Sequence, residues 1–214
     1  MKKVLLMILS CLMVISLTAC NNSNEGLLEL DGGWQVPKSM KITDKEKELL
    51  NKATEELTGA SYKPVAYVAS QVVNGTNHLL LCTVSVIGTD AEARYALVYL
   101  YEDTEGKVEM TQVLTSNATA SESGLLGGWS KPENKTITEE LQKVFDKAVE
   151  NITGVEYTAI AYLANQIVAG ANYCILCQAK DVGQDTEARY VIMDIYEDPE
   201  HNAEITGVYD FAAE

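Results

Sequence analysis

The sequence predicts an α+β fold that occurs twice in the chain, each copy having one helix packed across a four- to five-stranded antiparallel sheet. Three observations carry this reading. The first is a run of motifs that returns at a constant offset of 95 residues. Gly32-Gly33-Trp34 returns as Gly127-Gly128-Trp129, Glu92-Ala93-Arg94-Tyr95 as Glu187-Ala188-Arg189-Tyr190, and Tyr101-Glu102-Asp103 as Tyr196-Glu197-Asp198. A fixed spacing over so long a span means duplication. The second is a helical stripe near the start of each copy. The third is a switch to two-residue periodicity after it, broken by short polar turns.

The helix of the first copy is expected from about Ile42 to Leu57, with Thr43 and Glu46 at capping-box spacing and Gly59 as its stop. The second copy shows the clearer stripe. Leu141, Val144, Phe145, Ala148, Val149 and Ile152 lie on one helical face, Thr138 caps the start and Gly154 ends it. Tyr62, Val65, Tyr67 and Val72 then mark a first strand. Residues 77–86, 91–101 and 108–114 mark three more. Turns fall at Asn74-Gly75, Gly88-Thr89-Asp90 and Asp103-Thr104-Glu105-Gly106, and links this short demand antiparallel neighbours. A helix followed by a four-stranded meander buries most simply with the helix across one sheet face. The expected domains are residues 32–115 and 127–214, joined by a small and polar linker over 116–126.

Residues 1–20 read as a signal peptide that is not part of the fold. Lys2 and Lys3 precede an apolar run, which ends in Leu17-Thr18-Ala19-Cys20. That ending resembles a bacterial lipobox, which implies acylation of Cys20 and a lipid anchor holding the protein on the outer side of a cell membrane. Residues 21–31 then form a tether. The apolar run is short for a bilayer span. Formal net charge is −15, and loss of Lys2 and Lys3 takes it to about −17. So acidic a chain is a poor fit to nucleic acid or anionic headgroups.

Beyond the signal peptide the cysteines are Cys82, Cys174 and Cys177, with Cys20 at the expected new N-terminus. Three body cysteines make no disulfide framework. Cys174 and Cys177 have the spacing of a redox or zinc pair. On a strand, however, residues three apart face opposite sides. They are expected to be small core hydrophobes, and no metal or other cofactor is expected. The two histidines, His78 and His201, do not recur at the 95-residue offset. No arrangement for nucleophilic catalysis repeats, so neither an enzyme nor a small-molecule substrate is expected.

The candidate binding residues lie at the first turn of each copy: Gln71-Val72-Val73-Asn74-Gly75 and Gln166-Ile167-Val168-Ala169-Gly170. A helix, a strand, Gln-x-Val-x-Gly and a second strand together resemble the cystatin family. The stretches Tyr62 to Asn77 and Tyr157 to Asn172 are most similar to its disulfide-free stefin branch. The resemblance implies two tandem cystatin-like domains that inhibit papain-like cysteine proteases by occlusion. It implies a wedge of three parts: a trunk at Gly32 or Gly33 and at Gly127 or Gly128, the first hairpin just named, and a second hairpin at residues 103–106 and 198–202. Both second hairpins are acidic and lack the tryptophan that many secreted cystatins carry there. The competing reading is a non-inhibitory binding module for a peptide or an envelope partner. Trp34 and Trp129 are expected to anchor the trunk or to touch a partner. The Glu-Ala-Arg-Tyr repeats are expected to serve strand packing with a cross-strand ion pair.

Overall fold

The computed structural model describes residues 29–30, 33–120, 128–183 and 186–213. The signal peptide, Cys20, Gly32 and Gly127 lie outside the described residues. The first repeat contains β1 (Glu29–Leu30), β2 (Trp34–Gln35), α1 (Asp44–Thr54), β3 (Ala60–Val73), β4 (Gly75–Val86), β5 (Arg94–Glu102) and β6 (Val108–Thr119). The second contains α2 (Glu139–Val149), β7 (Val155–Val168), β8 (Gly170–Asp181), β9 (Arg189–Glu197) and β10 (Ala203–Ala212).

Local chemistry starts the helices where the sequence requires, but α1 ends at Thr54 and α2 at Val149, short of Gly59 and Gly154, and Ile152 lies exposed beyond the α2 stripe. The Thr43 side chain and backbone exchange hydrogen bonds with Glu46 in a full capping box. Burial alone would raise the Glu46 carboxyl pKa, but the bonds from Thr43 hold it below its ordinary value. Thr138 accepts from the Leu141 amide at 3.2 Å and caps α2. Both helices have acidic first turns and a lysine in the last, which suits the helix dipole.

The expectation of an α+β fold of two tandem cystatin-like domains, each one helix across its own four- to five-stranded sheet, is overturned by the sheet. Among the described residues strands make up 53% and helices 13%, and the strands join into one curled antiparallel sheet of ten. Its order is β1-β2-β3-β4-β5-β6-β10-β9-β8-β7. The two repeats therefore meet edge to edge, β6 against β10, with Ser116 opposite Phe211 and Thr115 opposite Ala212. Ser116 and Phe211 are themselves equivalent at the 95-residue offset. A local two-fold axis thus passes through that pair, as in an isologous dimer made within one chain. β6 also continues to Thr119, into the segment expected as linker, and Ser116, Ala118 and Ala120 are buried.

The physical reason is that one helix can cover only one face. Leu79, Leu80, Leu81 and Cys82 are consecutive in β4 and all are fully buried. Leu80 and Cys82 face outward and pack with Leu49 and Leu50 of α1. Leu79 and Leu81 face inward, into a core that also contains Ala161, Leu163, Leu176 and Ile192 of the second repeat. On the far side Leu141 and Phe145 of α2 cover Ile175, Cys177 and Met193. The layers are therefore helix, half-sheet, half-sheet and helix, around three apolar clusters, of which the central one is shared. Cys174 lies in the shared cluster and Cys177 under α2, on opposite faces of β8. Cys82 and Cys177 take equivalent places beneath their own helices. Burial pushes the Cys82 thiol pKa up to about 12, so it stays protonated.

Leu81→Ala is expected to lower stability by about 2–5 kcal/mol, because it opens a cavity at a fully enclosed site. In urea, emission from Trp34 and from Trp129 should shift together. A shift confined to the probe in the first repeat would contradict a shared core.

Candidate functional site

Each first hairpin is a two-strand turn with glycine at its inner corner. Gly75 has φ +120° and Gly170 φ +109°, values that L side chains rarely adopt. A Cβ on Gly75 would also overlap the Glu102 carbonyl and the Tyr101 ring, and one on Gly170 would overlap the Glu197 carbonyl. The glycine is needed because the neighbouring strand passes close beneath the turn. The Tyr101 hydroxyl donates to the Asn74 carbonyl, and that of Tyr196 donates to the Ala169 carbonyl at 2.5 Å. Each tip is thus braced by a tyrosine from the next strand, a bond of about 0.5–1.5 kcal/mol net.

The motif glutamines face a partner across the hairpin. The Asn77 amide donates to Gln71 Oε1 at 2.7 Å, and that of Asn172 donates to Gln166 Oε1 at 2.9 Å. Glutamine and glycine therefore build the turn. The aliphatic pair between them has no such task. Val72 is 83% exposed and Ile167 72%, while Val73 and Val168 are 46% and 44% exposed. These four side chains form the exposed apolar surface of the tips.

The other two parts of the expected wedge come to the same place. Gln35 pairs with Ser70, the residue before Gln71, and Ser130 pairs with Asn165, the residue before Gln166. Gly33 has φ +78° where the trunk enters this pairing, and Gly128 precedes Trp129 at the equivalent point. Trp34 packs into the central core and meets Tyr99 edge-on at 6.0 Å. It anchors the trunk.

The second hairpin follows β5, whose Glu102 pairs with Thr76 beside the first tip. Its acidity has a local cause. Asp103 Oδ1 accepts from the amides of Glu105 at 2.8 Å and Lys107 at 2.9 Å. The Lys107 bond above all keeps the Asp103 pKa below its ordinary value. Asp198 accepts from the Asn202 amide at 2.8 Å and from its side chain at 2.9 Å. His201, with φ 64°, takes the left-handed position that Gly106 fills in the first repeat.

One position behind the tips differs between repeats. His78 is buried, with Nδ1 2.7 Å from the Tyr67 hydroxyl and Nε2 3.2 Å from Glu102 Oε2. The carboxylate accepts, so Nε2 carries the proton and Nδ1 accepts from Tyr67. In the second repeat Tyr173 stands there instead, and its hydroxyl donates to Glu197 at 3.0 Å.

In the Glu-Ala-Arg-Tyr repeats, Arg189 pairs with Asp181 at 3.1 Å and with Asp210 at 2.9 Å, which ties β9 to both of its neighbours. Among the described residues no group of three or more His, Cys, Asp or Glu side chains is placed to hold a metal ion. Sequence reasoning did not single out Tyr101, Tyr196, Asn77 and Asn172 as parts of the site. Their signal was recurrence at the 95-residue offset. No protein-family model matches the chain, and no curated protein matches it.

His78 makes stability depend on pH. Burial lowers its pKa below the ordinary 6.5, although Glu102 opposes the shift. The unfolded chain gains a proton near 6.5 that the folded chain does not accept. The stability that His78 contributes is therefore complete above that pH and is lost as pH falls through it towards the folded value. His78→Tyr, which copies the second repeat, should reduce the fall in urea midpoint between pH 7 and pH 5. Equal slopes in the two proteins would rule His78 out.

Proposed function

We propose that the protein is a non-catalytic binding protein that blocks clefts of partner proteins with its two hairpin tips, and that papain-like cysteine proteases are the target class. The observation that carries this is the exposed aliphatic pair on each braced tip, Val72 with Val73 and Ile167 with Val168. A tip held by a cross-strand tyrosine and a close-packed glycine loses little freedom on binding, so apolar burial converts more fully into affinity. Each aliphatic side chain that enters a cleft contributes roughly 1.5–3 kcal/mol. Trunk, first hairpin and second hairpin stand together in each repeat, which is the arrangement that the cystatin-like motif implies.

All ladders in the sheet are antiparallel. Along the strand order, β3 and β7 consequently run in opposite directions. The two tips leave the sheet at opposite ends, so the two wedges serve separate clefts. The acidic chain favours a partner with a neutral or basic rim. In this reading Cys20 carries the lipid anchor that holds the protein outside the cytoplasm. Among the described residues no helix is long and apolar enough to cross a membrane.

A second reading draws on the hydrogen bonds of Gln71 and Gln166. Two of the three motif positions are accounted for by hairpin construction alone, so the same tips also suit an envelope protein that is not a protease.

The test is a titration of papain with residues 21–214 carrying Cys20→Ser. Inhibition should be reversible, with two protease molecules bound per chain. Val72→Asp with Val73→Asp should halve that capacity, and the matching changes at Ile167 and Val168 should abolish the rest without loss of the folded circular-dichroism signal. A folded protein that leaves papain active at micromolar concentration would contradict the protease reading and favour the second. Palmitate labelling of the full chain, lost in Cys20→Ser, tests the anchor.

A further inference from the structure

Among the differences between the two repeats in their shared core, one group borders a cavity. Leu79, Tyr99 and Leu114 of the first repeat correspond to Cys174, Asp194 and Tyr209 of the second. In the first repeat the Tyr99 ring fills the space before Trp34. In the second repeat a carboxylate replaces that ring, and Trp129 borders a cavity of about 150 Å³. Tyr95, Asn117, Cys174, Asp194 and Tyr209 also line it. Tyr95 and Asn117 come from the first repeat, so the cavity exists only where the two halves meet. Asn117 is exposed and stands at its rim.

We propose that this cavity binds a small organic ammonium ion. Trp129, Tyr95 and Tyr209 bring three aromatic rings to one space with a single carboxylate, the combination that suits a cation over aromatic faces. No basic residue lines the cavity. Lys135, the one buried lysine among the described residues, donates instead to the Leu163 carbonyl at 3.1 Å. Asp194 is half-buried, and a carboxylate partly withdrawn from water without a cationic partner carries a cost that a bound cation lowers. Burial holds the Asp194 pKa above its ordinary value, against a hydrogen bond from Cys174. The volume is close to that of an engineered cavity of roughly 150 Å³ that admits benzene, a size that also fits a trimethylammonium group. The negative field of the chain raises the local concentration of cations. This inference is independent of the hairpin tips and of the target they take.

Calorimetric titration of the full chain with choline tests it, beside its neutral isostere 3,3-dimethylbutan-1-ol. Choline should bind one per chain, and the alcohol roughly tenfold more weakly or not at all. Asp194→Asn, which keeps the shape and removes the charge, should weaken choline by a similar factor while its thermal midpoint shows that it is folded. A second variant, Asp194→Tyr with Cys174→Leu, rebuilds the first repeat's packing and should abolish binding. No heat from choline, equal binding of the alcohol, or an Asn variant that binds choline as tightly as the parent would each overturn the proposal.

Discussion

Everything in this molecule depends on the second face of each half-sheet. A four-stranded sheet whose strands are apolar on both sides needs two covers, and each repeat carries one helix. The outer cover is that helix. The inner cover is the other repeat. At roughly 25 cal/mol per Å² of apolar surface, leaving the inner faces of Leu79, Leu81, Leu97, Leu176 and Ile192 in water would exceed the margin by which domains of this size stay folded. Duplication therefore supplied the missing layer of the core.

That constraint also fixes what the surface can do. Joining β6 to β10 about a local two-fold closes two strand edges against each other and sends the hairpin tips to opposite ends of the sheet. The tips extend from the longest strands, and the same strands form the shared core at their middles. Val72 and Ile167 are held outward because Ala66, Val68 and Ala69, and their equivalents Ala161, Leu163 and Ala164, are held inward. Binding surface and core are opposite ends of the same rigid ribbons. The two-fold is also imperfect. The substitution of Asp194 and Cys174 for Tyr99 and Leu79 shows that the two inner faces are not interchangeable.

The sequence showed the local structure well and the assembly poorly. Both helix caps, the four main strands of each repeat and the turns were legible, because capping boxes, turn glycines and two-residue periods act over a few residues. The opposite orientations of Cys174 and Cys177 followed from strand geometry alone. The joining of the sheets was not read, although its signal was present. A strand covered on one face alternates, whereas Leu79-Leu80-Leu81-Cys82 and Cys174-Ile175-Leu176-Cys177 do not. Such runs belong to strands buried on both sides. The first residues of the expected linker extend β6 for a related reason. Ser116, Ala118 and Ala120 look like linker residues by composition, yet small side chains are what a tight junction between two sheets requires. At the tips, the motif marked the right residues but not their division of labour. Only the cross-strand partners separate glutamine and glycine, which shape the hairpin, from the aliphatic pair, which faces outward.

The most direct test of the shared core is the behaviour of residues 29–120 expressed alone, followed by sedimentation and urea unfolding. A half-sheet deprived of its inner cover should be unfolded, or should pair with a second copy of itself and unfold with a concentration-dependent midpoint. A monomer that unfolds cooperatively at a concentration-independent midpoint would show that each repeat is a complete domain, and the shared-core account would be wrong.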